Sequence, residues 1–258
     1  MDIVNVCNKA VEELERIKDK RSHPVFRRGN RLVFTDRNEN INMAVECADD
    51  LYKRLKKRFQ LPPKELEQKI FCLLLRYQTL MGNSHQFAMR PHFKNALRDE
   101  YGINFECFAS AINVHYDRFC RLFYDIERHF GSYGSFYLMK YKRGFFIANP
   151  PYENKMLELM VLKFIESCQN TKEPLSISFG LPNWGKYAVF EAMEIVKKSK
   201  YTKFVRCMKD REVEWFDRLN NIKVRIPSHC RCVIQNEAGE EEYPLDKFNN
   251  LIDKYWVS

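Results

Sequence analysis

Apolar residues recur at helical spacing over most of the first hundred positions. Between Ile3 and Ile17 they fall every three or four residues, as on one face of an amphipathic helix. The same spacing predicts three further helices, over residues 41–59, 64–81 and 90–100. Pro24 and Gly29 indicate that the basic segment between the first two helices is a loop. We therefore predict that residues 1–100 form a helical region.

After residue 102 the pattern changes to short apolar runs that alternate with helical segments. The runs INFECFAS, GFFIA and LSISFGL predict buried strands, and weaker strands are predicted over residues 204–208, 222–226 and 230–235. Helices are predicted over residues 112–123, 155–168, 187–199 and 244–256, and a solvated acidic loop around Glu240. This alternation predicts an α/β fold with a Rossmann-like, doubly wound sheet over residues 101–258. Ligands of such sheets bind beyond the carboxyl ends of the strands.

Charge and composition narrow the classes of function. The chain of 258 residues carries 43 Lys and Arg against 34 Asp and Glu, a formal net charge of +9. This surplus favours an anionic partner, with nucleic acid first and a membrane surface second, although many basic proteins bind neither. Hydrophobic residues make up 45% of the chain, which excludes disorder along its whole length. No run approaches ~18 uncharged apolar residues, so we expect no transmembrane helix.

The amino terminus and the cysteines indicate a cellular compartment. The first twenty residues carry acids and lack the basic start and apolar run of a signal peptide. We therefore expect an intracellular protein, nuclear or cytoplasmic, whose nine cysteines are reduced thiols. His229, Cys230 and Cys232 are too closely spaced for a zinc site, and no second cysteine pair completes one, so no metal is expected.

The turn Asn149-Pro150-Pro151-Tyr152 follows the predicted strand GFFIA directly. Two successive prolines fix the backbone and supply carbonyl groups without N–H groups. A side-chain amide precedes them, and an aromatic ring able to stack on a planar ligand follows. A rigid turn with two acceptors and a stacking face suits a planar molecule that carries an exocyclic amine.

This turn resembles the Asn-Pro-Pro-aromatic signature of the amino methyltransferases that use S-adenosylmethionine. The resemblance implies that the Asn149 side-chain oxygen and the Pro150 carbonyl accept the two amine hydrogens. The amine lone pair is then drawn out of conjugation and attacks the sulfonium methyl, while Tyr152 stacks on the base. The catalytic residues are thus expected to be Asn149, Pro150, Pro151 and Tyr152.

A longer pattern is more specific. ECFAS followed by Ile-Asn, then FGSYG, then ANPPY, then PLSISFGLPNW occur here in this order. In order and spacing they resemble the phosphorylated-CTD-interacting factor family, the cap-specific adenosine-N6 methyltransferases of eukaryotic messenger RNA. The chain departs from the family at Ala111 (usually Pro), Tyr152 (usually Phe) and Asn183 (usually Glu). We expect a core without the WW domain that metazoan members carry upstream.

The resemblance also implies where the cofactor lies. The loop around Phe105–Asn113 has small residues that would let the backbone approach a ligand, and a predicted helix N-terminus that would face a carboxylate. Cofactor contacts are expected from Glu106, Phe108, Ala109, Ser110, Asn113 and Asn149. Asp125 and Glu127 are candidates for binding the cofactor ribose, or belong to a solvated acidic loop. Trp184 is expected either to form a wall of the adenine pocket or simply to pack.

Substrate recognition is expected to come from the first hundred residues. Ser110 and Pro150 lie only 40 positions apart, which leaves no room for an inserted recognition module. Basic clusters at residues 16–31 and 53–58, with Phe26, Phe34 and Phe59 interleaved, suit phosphates and a stacked base, or are simply solvated faces. Arg27, Arg28 and Arg31 are the first choice for contacts with RNA.

The implied function is S-adenosylmethionine-dependent N6-methylation of the adenosine next to the cap of messenger RNA. The implied partners are the capped 5′ end of messenger RNA and the transcription or capping machinery. Two alternatives stay open. The chain is a catalytically idle relative that binds RNA or a partner, or its turn methylates adenine in DNA or another RNA, or glutamine in protein.

Overall fold

The computed structural model describes residues 25–38, 41–80, 86–184 and 191–257. The helix predicted between residues 1 and 20 lies outside the described residues, as does most of the basic segment at 16–31. No helix among the described residues is long and apolar enough to cross a membrane. Nor do the described residues include a group of three or more His, Cys, Asp and Glu side chains that could hold a metal ion.

An antiparallel three-stranded sheet opens the described chain. Its strands are β1 (Val25–Arg28), β2 (Arg31–Asn38) and β3 (Ile41–Ala48), and the helices α1 (Asp49–Arg58) and α2 (Leu66–Leu80) follow. The predicted loop at residues 21–31 is thus a hairpin from Val25 onward, and the predicted helix at 41–59 is helical only from Asp49. In β3, Val45 and Cys47 are buried while Ala44 and Glu46 are not. This period of two is that of a strand, so the prediction of a helical region is wrong for residues 25–38 and 41–48.

The helix predicted over residues 90–100 is present and ends at the predicted glycine. A short strand, β4 (Phe87–Met89), leads into α3 (Pro91–Tyr101), which begins with a proline. Gly102 follows with a φ of +68°, and its N–H donates to the carbonyl of Arg98 at 2.8 Å. Glycine adopts this left-handed conformation without a steric penalty, so the helix stops here and the chain turns into the central sheet.

Beyond α3 the chain alternates strands and helices. The strands are β5 (Phe105–Glu106), β6 (Arg118–Phe119), β7 (Gly144–Ala148), β8 (Leu175–Pro182), β9 (Thr202–Met208), β10 (Glu214–Asp217), β11 (Ile222–Arg225) and β12 (His229–Gln235). The helices are α4 (Tyr124–Glu127), α5 (Asn154–Gln169), α6 (Glu191–Lys198), α7 (Glu237–Glu242) and α8 (Phe248–Tyr255). The three predicted buried strands, the helix at 155–168 and the strand at 230–235 are confirmed, to within a few residues at their ends.

Six of these strands form the central sheet, in the order β6-β5-β7-β8-β12-β9. Neighbours from β6 to β8 are parallel, and β12 runs antiparallel between β8 and β9. Five strands therefore share one direction, and the prediction of a Rossmann-like α/β fold is confirmed. A second small sheet, in the order β11-β10-β4, links the segment around β4 to the carboxyl-terminal part of the chain. Whether residues 1–100 and 101–258 are separate domains stays a prediction.

Helices cover both faces of the central sheet. Phe145 and Ile147 of β7 pack in a cluster with residues of α3 and α8, whereas Ala148 packs in a cluster with residues of α5. Every residue of β8 and β12 is buried. Strands covered on both faces carry apolar or small, hydrogen-bonded side chains and no exposed charges, which is why LSISFGL is recognisable as a buried strand.

Two predicted elements differ from the structure because side chains accept hydrogen bonds from backbone N–H groups. The helix predicted over 112–123 is a loop followed by β6. There the Glu106 carboxylate accepts the N–H groups of His115 and Tyr116 at 2.5 and 3.0 Å, so these groups do not form helical bonds. The acidic segment around Glu240 is helix α7. Its first turn is capped by Asn236, whose side chain accepts the Gly239 N–H.

The prediction that all nine cysteines are reduced thiols is wrong for one pair. Cys207 of β9 and Cys230 of β12 are directly opposite each other in the sheet, with Cα atoms 3.8 Å apart, and form a disulfide. The register of two neighbouring strands, which the spacing of cysteines in the sequence does not reveal, brings them together.

The ion pair between Lys94 and Glu106 yields a prediction of stability. Both side chains are almost fully buried, and Lys94 Nζ lies 2.5 Å from Glu106 Oε2. Lys94→Met should lower the free energy of unfolding by about 3–5 kcal/mol, because it leaves the Glu106 carboxylate buried without its cation. Urea titration followed by circular dichroism measures this loss. The double variant Lys94→Met/Glu106→Gln should recover much of it, and a double variant as unstable as the single one would contradict the explanation.

Candidate active site

The turn Asn149–Tyr152 lies at the carboxyl end of β7, where the predicted sheet places ligands. Pro150 is buried, and Asn149 and Tyr152 are half-buried. On the helix side, the Glu153 carboxylate caps α5 by accepting the N–H groups of Lys155 and Met156 at 3.2 and 2.7 Å. The turn is thus held between a central strand and a capped helix, which fixes the direction of its carbonyl and amide groups.

A buried arginine holds the Asn149 side chain. Arg231 of β12 has no exposed surface, and its Nη1 donates to Asn149 Oδ1 at 2.7 Å. The same guanidinium donates to Ser178 of β8 through Nε, at 2.8 Å to the hydroxyl, and through Nη2, at 3.2 Å to the carbonyl. Arginine has donors only, so the amide oxygen of Asn149, and not its NH₂ group, must face it. Burial lowers the pKa of Arg231 to about 10, so the group is charged at neutral pH.

A cleft lies between the carboxyl ends of β5 and β7. Its lining includes the predicted cofactor residues Phe108, Ala109, Ser110, Asn113 and Asn149. Inside it the loop after β5 is closely hydrogen-bonded: the Ser110 hydroxyl donates to Gln86 Oε1 at 2.5 Å, and Asn113 Oδ1 accepts the Ser110 N–H at 2.8 Å. The loop is therefore preformed, with small side chains where a ligand would approach the backbone.

Glu127 supports this loop from beneath. Its carboxylate has no exposed surface and accepts the Ala111 N–H at 2.8 Å and the Tyr77 hydroxyl at 3.0 Å. Burial raises the pKa of Glu127 to about 7, and these hydrogen bonds only partly offset that effect. Glu127 is not part of the cleft lining, and in this structure it supports the loop. A role in binding a ribose stays a prediction.

One cationic group of the cleft lacks a hydrogen-bond partner among the described residues. Arg121 is 6% exposed, and none of its three side-chain nitrogens has a hydrogen-bond partner among the described residues. Its guanidinium lies over the Tyr124 ring, 4.2 Å from the centroid. Burying a guanidinium without hydrogen bonds is costly, so this group fits a cleft that receives a carboxylate or a comparable anion.

A second recess, here named the aromatic pocket, lies on the other side of the turn. It has a volume of about 330 Å³, and its walls are Phe87, Asn113, Asn149, Pro150, Pro151, Tyr152, Trp184, Trp215, Ile226 and Pro227. The rings of Tyr152 and Trp184 meet edge to face, with centroids 6.0 Å apart. Asn113, Asn149 and Pro151 line both the pocket and the cleft. The two recesses therefore meet at the turn.

Several predicted site residues lie outside both recesses. The Glu106 carboxylate binds Lys94 and the backbone of the loop. It does not line the cleft, where the expected contact with a cofactor would be made. Asp125 is half-exposed and its carboxylate binds Arg76 Nη1 at 2.6 Å, which leaves it outside the cleft lining as well. Each carboxylate is already satisfied by a cation of this chain.

The three arginines expected to bind RNA are on the β1–β2 hairpin. Arg27 pairs with Asp49 at 2.8 Å, and Arg28 and Arg31 pair with Glu46 at 3.4 and 2.8 Å. None of them lines the cleft or the aromatic pocket. Their acidic neighbours weaken the positive field of this cluster, and a role in RNA binding stays a prediction.

Three residues of the site were missed by sequence reasoning. Arg231 and Trp215 are on strands, and Arg121 follows β6 within a segment predicted as a helix. Arg231 did carry a signal, because an arginine inside the apolar strand HCRCVIQ must be buried and therefore needs acceptors. Nothing in the sequence indicates that its acceptor is Asn149, 82 positions earlier.

The fold and the site define a Rossmann-like α/β protein with an Asn-Pro-Pro-Tyr turn at the carboxyl edge of its sheet. The chain belongs to the phosphorylated CTD interacting factor 1 family. The family model described as the phosphorylated CTD interacting factor 1 WW domain matches residues 48–218, which here include helices α1 to α6. The predicted family is thereby confirmed.

Two curated relatives carry the same name, mRNA (2'-O-methyladenosine-N(6)-)-methyltransferase. The human protein is 34% identical over 184 residues, which are 66% of this chain and 26% of that protein. The mouse protein is 33% identical over 122 residues, 45% of this chain and 17% of that protein. The chain thus spans about a quarter of the length of the human relative. The structure of a Pyrococcus horikoshii protein, provisionally described as an RNA methyltransferase, matches 73% of this chain and 97% of its own length. The TM-score is 0.31 and the identity 12%, which is too weak a likeness to indicate a shared function.

The raised pKa of Glu127 predicts how stability depends on pH. The folded state holds the Glu127 proton more tightly than the unfolded state does. The contribution of Glu127 to the free energy of unfolding is therefore complete below about pH 4.5 and is lost as pH rises through 7. The loss amounts to about 3 kcal/mol. Urea titrations between pH 5 and 8 should show this decline in the wild type and a flatter profile in Glu127→Gln, which cannot ionise.

Asp125→Asn is the matched control, because it neutralises a half-exposed carboxylate two residues away. It should keep the wild-type slope. A Glu127→Gln profile as steep as that of Asp125→Asn would show that Glu127 does not titrate in this range.

Proposed function

We propose that this chain is an S-adenosylmethionine-dependent methyltransferase that modifies the N6 amine of adenosine in RNA. Its most direct substrate is the adenosine next to the cap of messenger RNA. One observation carries the proposal: two recesses, one that contains the Arg121 cation and one that is aromatic, meet at Asn149 and Pro151. Methyl transfer needs a donor and an acceptor on opposite sides of one point. The names of the human and mouse relatives support the choice of RNA adenosine.

The cleft between β5 and β7 fits the cofactor. Arg121 offers an unpartnered guanidinium for the carboxylate of the methionine part, and Ala109 and Ser110 let the backbone come close to it. When bound, S-adenosylmethionine supplies a methyl group on a positively charged sulfur. Phe108, which packs on Phe136 with centroids 4.3 Å apart, gives this cleft an apolar wall that helps to exclude water.

The aromatic pocket fits the adenine. Tyr152 and Trp184 provide ring faces and edges for a planar base, and Trp215 adds a third aromatic wall. At the turn, Asn149 Oδ1 uses one lone pair for Arg231 and has a second for an amine hydrogen. The Pro150 carbonyl can accept the other. Two acceptors that hold both hydrogens turn the lone pair of the amine nitrogen out of the plane of the ring, toward the neighbouring cleft.

We further propose that the capped 5′ end of messenger RNA is the partner in the cell, together with the transcription or capping machinery, in the nucleus or the cytoplasm. The family to which the chain belongs and its net charge of +9 support this.

Transfer of a radiolabelled methyl group tests the reaction. The substrates to compare are capped RNA beginning with adenosine, the same RNA without a cap, single-stranded DNA and duplex DNA. We expect capped RNA to be the best acceptor and capped RNA beginning with guanosine to be inert. Equal transfer to all four substrates would contradict the proposed specificity, and no transfer by protein that binds S-adenosylmethionine in isothermal titration would favour an idle relative.

Asn149→Ala tests the mechanism. It removes an acceptor that matters most as the amine leaves the plane of the ring, so the rate of transfer should fall about 10²–10³-fold. Affinity for S-adenosylmethionine and RNA should change far less. Asn170→Ala, at the exposed end of α5, is the matched control and should leave the rate unchanged. Near-normal turnover of Asn149→Ala would rule out the role assigned to this side chain.

A further inference from the structure

A third recess, here named the basic pocket, lies behind the loop that follows β5. It belongs neither to the cleft nor to the aromatic pocket. Its charged and titratable walls are Arg54, Lys57 and Arg58 of α1, the loop residues His115 and Asp117, and Arg218 after β10. Four of these six side chains are permanent cations, and only Asp117 is acidic.

The guanidinium groups of this pocket feel carboxylates only at a distance, namely Asp50, Glu106 and Asp117. Among the residues that the structure describes, none of Arg54, Arg58 and Arg218 has an acidic side chain within 4 Å. Arg54 Nη1 and Arg218 Nε are buried and lack a hydrogen-bond partner within the described chain. Burial, followed by repulsion from Arg218 and Arg58, lowers the pKa of Arg54 to about 10. An anion would remove both costs.

Two of the arginines are held in place by the loop itself. Arg54 Nη2 donates to the Val114 carbonyl at 2.6 Å, and Arg58 Nη2 donates to the Tyr116 carbonyl at 2.7 Å. These bonds use one edge of each guanidinium and fix its orientation. The hairpin arginines Arg27 and Arg31, by contrast, are neutralised by carboxylates. The basic pocket therefore differs from an ordinary solvated charge cluster.

The basic pocket adjoins the candidate active site. Asn113 lines both the cleft and the aromatic pocket, and His115, two residues further on, lines the basic pocket. Two residues of extended chain span at most ~7 Å. On the other side, the Arg218 N–H donates to the carbonyl of Gln86, which lines the cleft. The loop residues 113–115 and the contact of Arg218 with Gln86 thus connect the basic pocket to the walls of the site.

We propose that the basic pocket binds phosphate groups of the RNA whose adenosine occupies the aromatic pocket. The choice of RNA as the source of phosphate rests on the proposed function. Planar guanidinium groups match phosphate oxygens in pairs, and several that converge on one point suit a chain of phosphates. Two sources share this chemistry: the polyphosphate bridge of a cap, and the phosphodiesters that follow the adenosine.

Binding of two labelled probes tests the proposal. The probes are a methylguanosine–adenosine cap dinucleotide, which has only the polyphosphate bridge, and a short RNA with a 5′-hydroxyl, which has only phosphodiesters. The variant is Lys57→Gln/Arg218→Gln in the full chain, because Arg54 and Arg58 hold the loop and are best kept. Affinity for one or both probes should fall about tenfold or more, since a hydrogen bond to a charged group contributes roughly 1.5–3 kcal/mol. The slope of log affinity against log salt should fall by about 0.7 for each phosphate that a removed side chain neutralises in the wild type.

The control is Lys142→Gln/Arg143→Gln, which removes the same charge from exposed residues at the opposite end of β7. Loss restricted to the cap dinucleotide assigns the pocket to the polyphosphate bridge, and loss restricted to the 5′-hydroxyl RNA assigns it to the phosphodiesters. Either result supports the proposal. Equal affinities of variant and control for both probes, with the same salt slopes, would overturn it.

Failure of this proposal can be distinguished from failure of the proposed function. Binding is measured without methyl transfer, so a wild type that binds both probes but methylates no RNA refutes the function and leaves the pocket standing. If the wild type methylates RNA and the variant binds both probes as tightly as the control, only the proposed pocket is refuted. If the double variant does not fold, Arg218→Gln replaces it, because the Arg218 side chain makes no hydrogen bond with the described residues.

Discussion

The hydrogen bond from Arg231 to Asn149 is the contact on which the arrangement of the site depends. It exists because β12 is inserted antiparallel beside β8, with Arg231 opposite Gly180. The order of the strands and the buried arginine thus orient one amide at the point where the cleft and the aromatic pocket join.

The charges of the molecule divide into two kinds. Those that hold the fold are satisfied: Lys94 binds Glu106, and Arg231 donates to Ser178 and Asn149. Arg121 in the cleft, and Arg54 and Arg218 in the basic pocket, keep buried nitrogens without partners among the described residues. A folded chain tolerates such unpaired groups at a cost in stability. Their concentration around one loop is best understood as preparation for anionic ligands.

The sequence predicted the central sheet better than its surroundings. GFFIA and LSISFGL are covered on both faces, so their composition alone marks them as strands. Because Asn149 follows GFFIA directly, its position at the carboxyl end of β7 was also predicted correctly. Residues 41–48 and 112–123 carry a helical pattern but are not helices, because their backbone groups bind partners outside their own segment. One is a strand paired with β2, and the other is a loop whose N–H groups bind the Glu106 carboxylate. The contact of Arg231 with Asn149 escaped prediction because the two residues are 82 positions apart. The basic cluster at 53–58 was predicted, but the sequence did not indicate that Arg218 joins it in one pocket.

A double-mutant cycle on the rate of methyl transfer tests directly whether Arg231 acts by orienting Asn149. The rates of Asn149→Ala, Arg231→Lys and the double variant are compared under saturating cofactor and RNA, after circular dichroism has shown that each is folded. If Arg231 acts through Asn149, the double variant is no slower than Asn149→Ala alone, which corresponds to a coupling energy of about 1 kcal/mol or more. Rate losses that multiply in the double variant would show that the two residues act independently, and would contradict the central role of this hydrogen bond.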